Sequence, residues 1–132
     1  MIGREVSVNK VISSKDLALT VFTAMNKRDP MYLSQHLSEN AVFDFPGPGR
    51  LKGKKRILTF LKILFRKYPQ LQFTIEDIFG EGERVCTIWS NQGTDNKGNS
   101  YKNRGITLVR ASEGKIVFIS DYFKDTSFVN SA

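Results

Sequence analysis

A carboxylate inside an apolar strand is the feature of this sequence best suited to chemistry. Asp121 follows the run Ile116–Ser120 and precedes Tyr122 and Phe123. Alternate side chains of a β-strand share a face, so Asp121 lies on the same face as Ile119 and Phe123. Burial there would raise its pKa and make it a proton donor or general base. The alternative is a strand-end aspartate that is hydrated or paired with an arginine.

Aromatic and amide side chains are candidates for the wall of a small-molecule pocket. Large apolar bodies that end in a polar group suit concave ligand sites. The strand pattern places Tyr101 and Asn103 on one face and Arg104 on the other, so the two groups cannot line one pocket. Trp89 fits the core or a dimer interface as well as it fits a ligand contact. The predicted pocket residues are Asp44, Trp89, Tyr101, Asn103, Tyr32 and Phe123, with Tyr122 as a further candidate.

Three helices are predicted in the first half of the chain. Ser13 or Ser14 can cap the first helix. Asp29 followed by Pro30 is a helix start signal and predicts a short second helix. The third helix has apolar residues at helical spacing and is followed by Pro69, which marks its end. The predicted helices span about 14–27, 30–37 and 54–68.

The second half of the chain changes to a period of about two, which predicts strands. Glycine-bearing polar turns separate these strands, as expected for an antiparallel meander. A short strand is also predicted before Pro46–Gly49, a segment that can continue neither a helix nor a strand. The predicted strands span about 41–45, 72–79, 84–94, 100–111 and 115–124.

Composition narrows the classes of protein. The 132 residues include one cysteine and one histidine, which excludes a disulfide framework and a cysteine/histidine zinc site.

Met1–Lys10 lacks the apolar core of a signal peptide, and no apolar run approaches membrane-spanning length, so we expect a cytoplasmic protein without a membrane partner. The net charge of +7 favours polyanions, but no nucleic-acid-binding motif is present. The basic cluster Lys52–Arg56 therefore predicts a solvated face or, alternatively, an accessory anion site.

The order of these elements resembles the nuclear transport factor 2-like superfamily, in its SnoaL-like and ketosteroid-isomerase-like branch. The resemblance extends from about Lys15 to Phe128 and depends on short strings in the right order and spacing. These strings are Ala41–Pro46, Leu51–Gly53, Tyr101–Asn103, Gly114–Ile116 and Asp121–Phe123.

The resemblance implies an α+β fold in which three N-terminal helices pack on a strongly curved antiparallel sheet. Such a sheet forms a cone-shaped pocket, a cystatin-like α+β barrel, and members usually form homodimers through the outer faces of their sheets. Asp121 matches a position where the branch often has an acidic residue. Asp44 is one residue away from the acid of the isomerases, so it would point to the opposite side of a strand and have a structural or surface role.

The resemblance does not imply one reaction, because the superfamily contains several chemistries. A steroid isomerase needs a tyrosine donor, yet the first helix has only Phe22 as an aromatic residue, and Tyr32 could substitute only if it reached the pocket. Epoxide hydrolysis of the related type needs an aspartate–arginine–aspartate group, of which Arg104 and Asp121 are a partial set.

The sequence therefore predicts a single domain over residues 1–132, with its core at about 14–128. Its function is predicted as that of a SnoaL-like isomerase, cyclase or hydrolase that needs no cofactor or metal and acts on an apolar, oxygen-bearing ligand. The alternative is a noncatalytic module of the same fold that binds a ligand or dimerises. A homodimer through the sheet is expected in either case.

Overall fold

The first helix, α1, spans Ser14–Lys27 in a computed structural model that describes residues 12–130. The Ser13 hydroxyl accepts a hydrogen bond from the Asp16 amide at 3.1 Å, which satisfies one of the free N–H groups at the helix start. This helix start agrees with the sequence prediction. The prediction made for Met1–Lys10 lies outside the described residues.

The second helix, α2, is shorter than predicted. It spans Pro30–Ser34, and the Asp29 carboxylate accepts a hydrogen bond from the Tyr32 amide at 3.1 Å. The predicted end near Leu37 is wrong, because Leu37 already belongs to the first strand and is buried there.

The third helix, α3, spans Lys54–Lys67, in agreement with the sequence prediction. Ile57, Leu61 and Phe65 are its buried residues. They recur every four positions, so they form one stripe that packs on the rest of the chain. Among the described residues, no helix combines the length and the apolar character needed to cross a membrane.

The described strands form one sheet. The last four strands along the chain form the predicted antiparallel meander. The strands are β1 (Leu37–Phe45), β2 (Gly49–Lys52), β3 (Gln72–Glu81), β4 (Arg84–Thr94), β5 (Ser100–Ser112) and β6 (Lys115–Phe123). The order across the sheet is β2-β1-β6-β5-β4-β3.

The predicted α+β class is confirmed, with two differences in the sheet. First, β1 lies parallel to β6, with Val42 opposite Phe118 and Asp44 opposite Ser120, so the sheet is mixed. Second, the sheet is not closed into a barrel. The short strand β2, which pairs with β1, was not predicted from the sequence.

The helices cover the inner face of the sheet. Inward residues alternate along each strand, so they reach the core at every second position. The central inward residues are Val85, Thr87 and Trp89 on β4, Gly105, Thr107 and Val109 on β5, and Ile119 on β6, and all of them are buried.

Gly105 makes room for the largest of these side chains. Gly105 lies opposite Trp89 in the β4–β5 register, and a Cβ atom at position 105 would lie 2.6 Å from Cζ2 and 2.7 Å from Cη2 of the indole. The same Cβ atom would also meet the backbone carbonyl oxygen of Tyr122, and the indole itself packs against the rings of Phe73 and Phe123, so neither neighbour can move aside freely. The absence of a side chain at Gly105 therefore determines where Trp89 lies.

We expect Gly105→Ala to destabilise the protein by about 1–3 kcal/mol, because the added methyl group overpacks the core at Trp89. Urea unfolding followed by circular dichroism measures this loss. Ser112→Ala, at the exposed end of the same strand, is the control and should change the free energy of unfolding by less than about 0.5 kcal/mol. Equal stability of the two variants would contradict the packing described for Gly105.

Candidate functional site

A cavity of about 380 Å³ lies between the helices and the inner face of the sheet. Its walls are mostly apolar. Exposed polar residues, among them Ser100, Lys102 and Asp125, lie at its opening. The apolar lining consists of Met25 of α1, Leu64 of α3, Leu71, and the four aromatic residues Phe45, Phe73, Phe123 and Phe128.

Aromatic rings in contact form one side of this cavity. The Phe123 ring packs against Phe45 at 5.4 Å and against Phe128 at 4.7 Å between ring centroids. Phe128 belongs to a short 3-10 helix at Ser127–Asn130, beyond the last strand. The predicted pocket residue Phe123 thus lies at the centre of an aromatic wall.

Asp121 of β6 lines the same cavity and is held in place by a hydrogen-bond chain. The Thr107 hydroxyl donates to Asp121 Oδ1 at 2.6 Å, and Trp89 Nε1 donates to the same hydroxyl oxygen at 2.8 Å. The strand register makes this chain possible, because Thr107 lies directly opposite Asp121. Three neighbouring strands therefore fix the orientation of one carboxyl group.

Burial raises the pKa of Asp121 to about 7, because the charged form loses its hydration among apolar groups. The hydrogen bond from Thr107 stabilises the carboxylate and opposes this rise in pKa, whereas the negative charge of Asp44 adds to it. Near neutral pH, Asp121 is therefore present in comparable amounts as an acid and as a base.

Asp44 and Arg104 lie outside this cavity. Asp44 forms an ion pair with Arg50, with 3.7 Å between its Oδ2 and the arginine Nε. Arg104 forms an ion pair with Glu76 at 2.9 Å. Neither arginine is paired with Asp121, so the aspartate–arginine–aspartate group of an epoxide-hydrolysing site is not assembled from these residues.

The other predicted pocket residues occupy different places. Trp89 is fully buried and packs edge-on against Phe73 at 4.9 Å and Phe123 at 5.1 Å, so it supports the cavity from within the core. Tyr32 packs against His36 at 5.6 Å and does not line the cavity. Tyr122 points away from the cavity and is exposed.

Asn103 and Tyr101 do line the cavity, but in different roles. Asn103 Nδ2 donates to the Asp125 carbonyl at 2.8 Å, and Asn103 Oδ1 accepts from the Asp125 amide at 3.1 Å, so this side chain anchors the segment that leads to Phe128. The Tyr101 hydroxyl is buried without a hydrogen-bond partner. Burial, reinforced by Tyr68, raises the pKa of Tyr101 to about 12, which keeps it a neutral hydrogen-bond donor.

Two buried polar residues of the site were missed from the sequence. Thr107 contacts Asp121 only because of the strand register, which no local pattern reveals. Asn91 lines the cavity, and its Oδ1 is buried without a partner. Asn91 lies two residues after Trp89 and shares its face, so the alternation of β4 was a signal that could have identified it.

We predict that Asp121 titrates near pH 7, well above an ordinary aspartate, and that two substitutions move its pKa in opposite directions. Thr107→Val should raise the pKa by roughly one unit, because hydrogen bonds to charged groups contribute about 1.5–3 kcal/mol. Asp44→Asn should lower the pKa by a smaller amount, because it removes a nearby negative charge. The chemical shift of the Asp121 carboxyl carbon, followed by NMR against pH, measures this pKa in the unmodified protein and in both variants. An Asp121 that titrates near pH 4 would contradict the burial argument.

The sequence of the chain matches one protein-family model. A family model described as the SnoaL-like domain matches residues 18–119, a range that begins in α1 and ends in β6, two residues before Asp121. No curated protein sequence matches the chain significantly.

Solved structures resemble the chain over most of its length. An NTF2-like protein of unknown function from Burkholderia pseudomallei has a TM-score of 0.79 at 18% identity, covering 89% of this chain and 95% of that one. A candidate SnoaL-like polyketide cyclase from Jannaschia has a TM-score of 0.78 at 14% identity, and the match covers 89% of this chain and 90% of that one. TerC, co-crystallised with polyporic acid, has a TM-score of 0.77 at 16% identity, and the match covers 90% of this chain and 100% of that one. At such identities the likeness shows the fold alone.

Proposed function

This chain belongs to the SnoaL-like domain family, and on that premise we propose that it binds an apolar, oxygen-bearing small molecule and transforms it by proton transfer at Asp121. The observation that carries the proposal is a carboxyl group, with a pKa raised to about 7, in the wall of an apolar cavity. A catalytic acid or base works best when its pKa lies near the working pH.

The surroundings of Asp121 suit removal of a proton from a carbon next to a carbonyl group. The ionised carboxylate is short of solvation in the apolar cavity, which strengthens it as a base. The carboxylate takes the proton and leaves an enolate. Where a C=C bond is conjugated with the enolate, return of the proton to the γ-carbon shifts the double bond and isomerises the ligand. Alternatively, attack of the enolate on a second carbonyl carbon closes a ring, and the proton passes to the new alkoxide. Neither route needs a cofactor.

Isomerisation or cyclisation is favoured over hydrolysis. A hydrolase of the related type would use two carboxylates and an arginine to activate water. Here Arg104 is paired with Glu76, and Asp44 is paired with Arg50. Asp125 lies at the opening, so Asp121 is the carboxylate that a ligand inside the cavity would meet. Candidate relatives with the same fold include a protein described as a polyketide cyclase and one co-crystallised with polyporic acid, which supports a cyclic, oxygen-bearing ligand.

The proposal is tested with 2-tetralone, an apolar bicyclic ketone with exchangeable protons beside its carbonyl group. In D₂O, the protein should accelerate deuterium uptake at these carbons, measured by mass spectrometry. The catalysed rate should rise with pH through about 7, because the base is the ionised form of Asp121. Asp121→Asn should lower the rate by about 10²–10⁴, the usual contribution of a general base.

The control for this test is Glu76→Gln, which removes a carboxylate paired with Arg104 outside the cavity. This variant should accelerate deuterium uptake by 2-tetralone as much as the unmodified protein does. Equal rates of deuterium uptake with Asp121→Asn and Glu76→Gln would refute the catalytic proposal. Binding of 2-tetralone, seen by NMR, without exchange would favour the noncatalytic ligand-binding module instead.

A homodimer through the outer face of the sheet is also part of the proposal. Tyr122 and Ile106 are 59% and 39% exposed, and they line a shallow groove on that face together with Ile88. Neighbouring apolar side chains on a sheet face are typical of a surface that another chain covers. The predicted cytoplasmic location and the absence of a cofactor, a membrane partner or a specific nucleic acid stay predictions.

We expect Ile106→Asp to convert the dimer to a monomer, because a carboxylate would have to be buried at the centre of the interface. Light scattering after size-exclusion chromatography measures the mass. Lys62→Glu, on the exposed side of α3, is the matched control and should remain dimeric. A monomeric unmodified protein, or a dimeric Ile106→Asp variant, would contradict this arrangement.

A further inference from the structure

The side chain of Asn91 is buried in the cavity wall with an unused hydrogen-bonding atom. Asn91 is 9% exposed, and its Oδ1 accepts no hydrogen bond. A buried polar atom without a partner costs about 1–3 kcal/mol, so such atoms are rare in folded proteins. A cavity that receives a ligand offers a reason for this one, because a ligand group can supply the missing bond.

A second unpartnered polar atom belongs to a residue that lines the same cavity. The Tyr101 hydroxyl is buried without a hydrogen-bond partner, and a Cβ atom placed on Gly93 would lie 2.6 Å from it. Gly93 is the next position after Asn91 on the same face of β4. The carbonyl oxygen of Asn91 accepts hydrogen bonds and the phenol of Tyr101 donates them. A hydroxyl group of a ligand donates and accepts at once, so its chemistry matches both groups.

This polar pair lies far from Asp121 along the sheet. Asn91 is opposite Asn103 of β5, whereas Asp121 is opposite Thr107, four residues further along the same strand. At about 3.3 Å per residue, the two levels are separated by roughly 13 Å along β5. Phe123 lines the cavity at the intermediate level, where it pairs with Gly105, whereas Phe73 lines the cavity at the level of Asn91, its partner across β3 and β4.

We propose that Asn91 and Tyr101 form a specificity site for a hydroxyl group of the ligand, at the opposite end of the cavity from Asp121. The ligand is then an elongated apolar molecule with a carbonyl function at one end and a hydroxyl group at the other. This inference rests on the proposed function for the identity of the cavity as a ligand site, but it does not depend on catalysis at Asp121.

Three ketones of the same shape test the hydroxyl site: 6-hydroxy-2-tetralone, 6-methoxy-2-tetralone and 2-tetralone. Their dissociation constants are measured by isothermal titration calorimetry. The hydroxyl compound should bind about tenfold tighter than the methoxy compound, the effect of one or two net hydrogen bonds. Asn91→Leu should remove this preference, and Tyr101→Phe should reduce it. Asp121→Asn should keep it, because Asp121 lies at the other end.

Leucine is close in size to asparagine, and Asn91→Leu removes a buried unsatisfied group. The variant protein should therefore unfold at the same temperature as the unmodified protein or at a higher one. Binding of 2-tetralone to this variant shows that its cavity is intact. The inference is overturned if the unmodified protein does not prefer the hydroxyl compound, if Asn91→Leu keeps the preference, or if none of the three ketones binds. A hydroxyl preference without any proton exchange would support this site and refute the catalytic proposal.

Discussion

The hydrogen-bond chain from Trp89 through Thr107 to Asp121 is the interaction on which the site depends. Each of the three residues comes from a different strand, so the chain exists only when β4, β5 and β6 are in register. Gly105 leaves the space that the indole needs to reach Thr107. The chain uses the hydroxyl as acceptor for one neighbour and donor to the other, which leaves the remaining acceptor positions of Asp121 facing the cavity.

Opposing effects determine the protonation of Asp121, and the two largest are burial and the hydrogen bond from Thr107. The Thr107 hydroxyl stabilises the carboxylate, whereas burial destabilises it, and burial is the larger effect, so the pKa rises to about 7. Each unit corresponds to about 1.4 kcal/mol of difference between the two protonation states. The apolar residues that reduce the hydration of Asp121 are those that an apolar ligand would contact. Affinity for the ligand and the strength of the base therefore have a common physical origin.

Local sequence patterns predicted the helices, the meander and the face of β6 that carries Asp121, because each depends on residues close together in the chain. The parallel pairing of β1 with β6 was missed, since it joins segments far apart in sequence. Thr107 was missed for the same reason: its partner is decided by register. Tyr32 was predicted to line the pocket, but it packs against His36 outside the cavity, because the direction of a side chain on a short helix depends on tertiary packing that the local pattern does not contain. Asn91 was also missed, although the alternation of β4 places it on the same face as Trp89 and could have identified it.

Infrared difference spectroscopy of the unmodified protein against Asp121→Asn tests the central claim most directly, because it detects the protonated carboxyl group itself. At pH 6 the difference spectrum should contain the carbonyl stretching band of a protonated, hydrogen-bonded carboxylic acid, and this band should be replaced by carboxylate bands by pH 9. A spectrum with only carboxylate bands at pH 6 would contradict the account, because Asp121 would then be an ordinary ionised aspartate with no proton to exchange with a ligand.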